Sequence, residues 1–171
     1  MKRGVLKTIV LSIISMLFVL GVNAQQKGEP PVVKEGIQVS RTHLIKRIQS
    51  SDSSMLFKKT ADSNGNPRYV GVDDNGTSVE IFGEEDLVKK AMFTFKFTTN
   101  RDINSIQYTR MSYFAFLLAG KKGLTWFEDC LSGFAKNPQR PIDQVEEFYS
   151  NLKGFFKYQP ADKQIVVSFT D

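Results

Sequence analysis

Phe93, Phe95 and Phe97 alternate with Met92, Thr94, Lys96 and Thr98, and this alternation restricts the fold more than any other stretch of the chain. Successive side chains of an extended strand point to opposite faces. Three rings therefore share one face, and mostly polar groups share the other. Such a strand must be covered on one side and can stay wet on the other, which is the habit of antiparallel sheets.

The segments before it read as partners for that strand. Met55–Thr60, Arg68–Val72 and Thr77–Phe82 form a meander with it. The turn signals are Asp62–Pro67, Asp74-Asn75-Gly76 and Gly83–Asp86. Asn75-Gly76 suits a type I′ hairpin, which needs positive φ at both central residues. Ser40 caps a short helix, Arg41 to about Ser50, with Leu44, Ile45 and Ile48 on one side.

After Phe97 the period changes. Asn104–Ala119 reads as a helix with Ile106, Tyr113 and Leu117 on the core stripe and Met111, Phe114 and Leu118 beside it. Gly120-Lys121-Lys122-Gly123 closes it. Thr125 and Glu128 then form a capping box for a second helix carrying Phe127, Leu131 and Phe134, which Asn137-Pro138 stops. Residues 145–151 fit either a helix or a strand. Gly154–Tyr158 and Gln164–Thr170 flank a Gln159–Asp162 turn as a closing hairpin. The expected fold is α+β: an antiparallel sheet, built of a four-strand meander plus a C-terminal hairpin, covered on one face by two helices.

The first 24 residues have the form of a cleavable export signal. Lys2, Arg3 and Lys7 make a positive start, Thr8–Leu20 is uncharged and apolar, and Val22 and Ala24 supply small residues before Gln25. A spanning helix needs about 20 apolar residues, so cleavage between Ala24 and Gln25 is expected, with no stable membrane anchor afterwards. Residues 25–36, with Pro30-Pro31, read as an extended arm, and 37–171 as a single domain in the periplasm or secreted. The whole chain carries 23 basic and 18 acidic residues, and without the leader the balance is 20 to 18. The high pI thus belongs largely to the signal, and a nucleic-acid role loses its electrostatic basis. A single cysteine, Cys130, forms no internal bridge.

Each candidate for chemistry has a plainer explanation. His43 is the only histidine, which excludes a multi-histidine zinc site, and no nucleophile elbow accompanies it. Cys130 lies between Trp126 and Phe134 at helical spacing and beside Glu128 and Asp129, so it reads as an inert core thiol. The Asp/Asn-Gly clusters lack the terminal acids of a calcium loop, and Asn75-Gly76-Thr77 is a formal glycosylation triplet produced by a turn. No metal, cofactor or catalytic residue is expected. Arg110 stands out, because a cation within a core-facing stripe can line a pocket and receive an anion. In the pocket reading, Tyr108, Arg110 and Trp126 are the expected wall of a ligand site between sheet and helices.

Val79-Glu80-Ile81-Phe82-Gly83-Glu84-Glu85-Asp86-Leu87 with Ala91 resembles a strand, glycine-led Asp-Leu turn, strand module of small exported bacterial domains of unknown function. There a helix pair carrying a Trp, as Trp126 does here, and a closing hairpin follow. The resemblance covers about Ser54 to the end. It implies a sheet covered by helices and no activity. The function expected is an exported, non-enzymatic module that binds an unidentified protein or envelope component. The alternative is a small-ligand binder or small enzyme with a pocket between sheet and helices.

Overall fold

The computed structural model describes residues 36–149 and 151–171. The leader, its Ala24–Gln25 junction and nearly all of the 25–36 arm lie outside the described residues. Among the described residues the fold is α+β, with seven antiparallel strands and two helices. In chain order the elements are α1 (Arg41–Ser51), β1 (Leu56–Ser63), β2 (Asn66–Val72), β3 (Ser78–Gly83), β4 (Val88–Lys96), α2 (Arg101–Lys136), β5 (Ile142–Glu147), β6 (Lys153–Gln159) and β7 (Gln164–Thr170).

The strands form one sheet in the order β1-β2-β3-β4-β7-β6-β5. Two meanders thus meet where β4 pairs with β7, Phe93 opposite Val167 and Phe95 opposite Ile165. The expected C-terminal hairpin is the inner part of a three-strand unit. Of the ambiguous segment, whose residue 150 lies outside the described residues, residues 145–147 fall in the unit's outer strand, β5, where Val145 pairs with Phe155. Five of its six side chains are exposed, as befits an edge strand, so no buried alternation was there for the sequence to show.

Burial follows the alternation in the centre of the sheet. Val79, Ile81, Phe93, Phe95, Phe156, Ile165, Val167 and Phe169 are buried on one face. Glu80, Met92, Thr94, Val166 and Ser168, between them, are only partly buried. Each ring withdrawn from water contributes about 1.5–3 kcal/mol. Phe97 is half-buried among Tyr108, Phe134 and Tyr158.

The 36 residues of α2 are not one rod. Gly120 has φ 61° and ψ −152°, which is not helical. Tyr108, early in α2, and Phe134, near its end, both lie against Phe97, so the helix doubles back at Gly120 into two arms. A Cβ on Gly123 would meet Ala119 Cβ at 2.5 Å and Ala115 O at 2.6 Å, which shows how closely the chain passes itself there. The connection is therefore a single glycine and not the expected four-residue loop. Thr125 lies inside the second arm, so the expected capping box is not used. The first arm starts earlier than Asn104, capped by Asn100, whose side chain accepts from Asp102 N and Ile103 N.

The core stripe of the first arm is also the neighbour of the one expected. Met111, Phe114 and Leu118 are buried, whereas Ile106 is 50% exposed. Adjacent helical stripes differ by a small rotation, and the position of the sheet decides between them. Phe114 meets Phe93 and Phe169 edge-on, with centroids 5.6 and 6.0 Å away.

The hairpin turns differ in kind. Asn64 and Gly65 both have positive φ, the signature of a type I′ turn. At Asp73–Thr77 only Gly76 does, so the expected type I′ turn is replaced by a longer one. Its organiser is the Asp73 carboxylate, which accepts from Asn75 N at 2.9 Å and Thr77 N at 2.8 Å.

The Gly83–Leu87 turn docks α1. Gly83 has φ 119°, and a Cβ there would run into the Leu87 carbonyl. That bulge presents Glu85 to the start of α1, where its carboxylate accepts from Thr42 N and Thr42 Oγ1 at 3.0 Å each and meets Arg41 at 3.1 Å. An anion at a helix N-terminus is favourable.

Two outcomes test this account. Gly120→Ala forces a side chain into a backbone region that is almost glycine-only, with no neighbour within 4 Å of the new Cβ. It should lower unfolding free energy by about 1–3 kcal/mol in urea titration, through backbone strain alone. The Thr42 N–H holds the Glu85 carboxyl below its ordinary value, burial opposes this, and the Thr42 hydroxyl and Arg41 assist. A depressed carboxyl stabilises the fold above its unfolded pKa and loses that effect as pH falls through its folded pKa. Wild type should melt above Glu85→Gln at neutral pH, and the gap should close as pH falls through and below the ordinary glutamate range.

Candidate functional site

The candidate site is a groove between α1 and the first arm of α2, with a buried charge network as its floor. Asp52 caps the C-terminal end of α1 and is 4% exposed. Its Oδ1 accepts from Ser54 N at 3.1 Å and Ser54 Oγ at 2.7 Å. Asp73 comes from the β2–β3 turn and is also buried. Gln107 and Arg110 come from α2.

These residues meet through Asp73 Oδ2, which accepts from Gln107 Nε2 at 2.6 Å and from Arg110 Nη1 at 3.4 Å. Arg110 Nη1 also stands 2.8 Å from Asp52 Oδ2. That contact is an ion pair rather than a directed hydrogen bond, since Asp52 Oδ2 has no hydrogen-bond partner. Thr77 Oγ1 and Gln107 Oε1 are likewise buried without one. The network ties three distant segments together. It sets two buried carboxylates against one guanidinium.

Above it, Ser50, Ser51, Ile106, Thr109, Arg110 and Tyr113 line an open groove of about 510 Å³. The Arg47 guanidinium lies 5.7 Å from the Tyr113 ring. A small void of about 10 Å³ lies against Asp52, Arg110, Tyr113 and Phe93. It shares Ser51, Arg110 and Tyr113 with the groove.

The three residues expected to share a wall do not converge. Arg110 points inward to the network. Tyr108 packs edge-on against Phe95 and Phe97; burial, and then Tyr158, push its hydroxyl up to about 12. Trp126 rests on Phe148 and Phe169. It lines a second open groove, of about 520 Å³, with Lys121, Lys122, Asp129, Glu146 and Glu147. Cations and acids are mixed there, so no charge class is selected.

His43 is exposed on α1. Cys130 is 1% exposed, and its thiol donates to Gln144 Oε1 at 3.1 Å. Burial first, then Asp129 and Glu146, push that thiol up to about 12, leaving it protonated and a poor nucleophile at neutral pH. Among the described residues no three of His, Cys, Asp or Glu gather as a metal cluster.

Sequence reasoning singled out Arg110 but missed Asp52, Asp73 and Gln107. Asp73 lies just past the expected strand Arg68–Val72, and Asp52 just past the expected first helix. No local pattern links positions 52, 73 and 107. No protein-family model, curated protein or solved structure is significantly similar to this chain.

Removing Arg110 would leave two buried carboxylates facing each other. Arg110→Leu should cost about 3–5 kcal/mol of stability, read from the urea midpoint. Arg110→Lys, which keeps the charge, should recover part of that loss.

Proposed function

We propose that this chain is an exported, non-enzymatic interaction module that recognises a protein or an envelope component through the α1–α2 groove. The finer fold reading belongs with it: the two arms of α2, the expected pair of central helices, cover one sheet face and act as a stiff platform. The observation that carries the reading is the exposure of Ile106, 50%, in the groove lining, on a helix arm whose adjoining stripe is buried. Burial of such side chains by a partner would be favourable. The floor is held rigid by the Arg110 network, so the groove is preformed and little ordering cost is due on binding.

The small-ligand alternative calls for a pocket between sheet and helices, and the space found there is small. The void against Phe93, beneath the helices, measures about 10 Å³ and holds no more than about one water. Tyr108 and Trp126 are then packing residues in this reading, and Arg110 organises the groove floor. Among the described residues no helix is long and apolar enough to cross a membrane.

A photo-crosslinking amino acid at position 106, in the chain expressed and exported by its own cells, should give one discrete adduct. The same probe at Asp62, beside the β1–β2 turn, should give none. Equal labelling at both positions, or no adduct at 106, would end the proposal.

A further inference from the structure

Asp52 and the void beside it define a more specific chemistry for the same groove. Asp73 has four donors around its two oxygens: Asn75 N, Thr77 N, Gln107 Nε2 and Arg110 Nη1. Asp52 is served on Oδ1 only, by Ser54. Its Oδ2 meets Arg110 Nη1 at 2.8 Å but receives no directed hydrogen bond. A carboxylate that is 4% exposed with an open acceptor is costly, and a donor placed there recovers that cost.

The space beside it fixes the size of the donor. The void of about 10 Å³ is bounded by Asp52, Ser51, Arg110 and Tyr113 on one side and by apolar core side chains, Phe93 and Phe114 among them, on the other, room for about one water or a group of that size. Ser51 Oγ already donates to Ile48 O, so it turns only lone pairs to other neighbours. The sign of the charge follows from the network. At the floor itself Asp52 and Asp73 both face Arg110, so an anion there would meet two carboxylates, while Arg47 stands farther out on the wall, 5.7 Å from the Tyr113 ring. A guanidinium is too broad and planar for the void, whereas an ammonium is a compact charge with three donors. A divalent metal needs about six oxygen ligands, and one open carboxylate oxygen falls short of that. Above the void, Ile106 and Tyr113 offer an apolar bed for whatever carries the head group.

We propose that the α1–α2 groove binds a primary ammonium group, with the head against Asp52 and its carbon chain along Ile106 and Tyr113. The proposal rests on the groove being the recognition surface. The shared chemistry is an alkylammonium, whether a free small amine or a lysine side chain of a partner.

Calorimetric titration of the chain as recovered from its producing cells separates the cases. n-Butylammonium should bind at least tenfold tighter than n-butanol or tetramethylammonium, which is bulky and has no N–H. Asp52→Asn should abolish that preference. Because Asp52 also caps α1, Ile106→Lys provides a second variant at an exposed position. It should weaken n-butylammonium at least tenfold by repulsion, with an unchanged melting temperature. A pentapeptide with a central lysine between isoleucines, run beside its acetyl-lysine form, identifies the source. Tighter binding of the free-lysine peptide than of n-butylammonium points to a partner's side chain, and the reverse order points to a small amine; both uphold the proposal. Equal affinity for n-butylammonium and n-butanol, or no measurable binding of either, overturns it and leaves the void to water. The crosslinking outcome at position 106 is independent of these arms, so failure of the amine chemistry alone leaves the module reading standing.

Discussion

The fold depends on one unsatisfied surface. Strand β4 sends Ala91, Phe93 and Phe95 to the same side, and β7, paired beside it, adds Ile165, Val167 and Phe169. Water on that side would cost several rings' worth of hydrophobic free energy. The first arm of α2 brings Phe114 over Phe93 and Phe169, and the second brings Trp126 to Phe169 and Phe127 to Phe156. One helix can reach both places because it folds back at Gly120. The turn needs a residue without Cβ, and so a single glycine decides how the cover is laid.

That cover creates the polar problem that the groove solves. Once α2 lies on the sheet, its buried stripe includes Gln107 as well as Met111 and Phe114. A buried amide needs partners. Asp73 supplies one, at the end of the β2–β3 turn, and Arg110 then balances Asp73 and Asp52 together. The same charges hold α1 against α2, so the walls of the groove and its electrostatic floor share one origin. The opposite side of the sheet is different in kind. There Arg68 pairs with Glu80, and Lys153 and Lys157 pair with Glu147 and Asp143, contacts that are mostly exposed and of small energetic weight.

How much of this was legible can be traced through particular residues. Ser40 as the cap of α1 and Phe93 and Phe95 as core were readable, since each depends on spacing within a few positions. The turn at Asn64-Gly65 and the one at Asp73–Gly76 contain similar residues, yet only the first takes the type I′ form. The second is held open by an aspartate whose other oxygen is claimed by α2, a partner 34 positions away. Strand β5 was ambiguous because an edge strand exposed along its length carries no alternation. Arg110 was conspicuous as a charge in an apolar helix, but its role as a joint between α1 and a hairpin was not.

Taken alone, the amino-acid order determined the local periods: an uncharged apolar stretch at Thr8–Leu20 behind a basic start, a two-residue alternation that demands a covered sheet, and helical segments interrupted at glycine. These follow from steric and hydrophobic preferences that act over a few residues. Which helical stripe is buried, which of two carboxylates keeps an open oxygen, and that Tyr108, Arg110 and Trp126 lie in three different places were decided only by the tertiary structure. Those outcomes depend on distances between segments tens of residues apart, and such distances exist only after the sheet and its helical cover have come together.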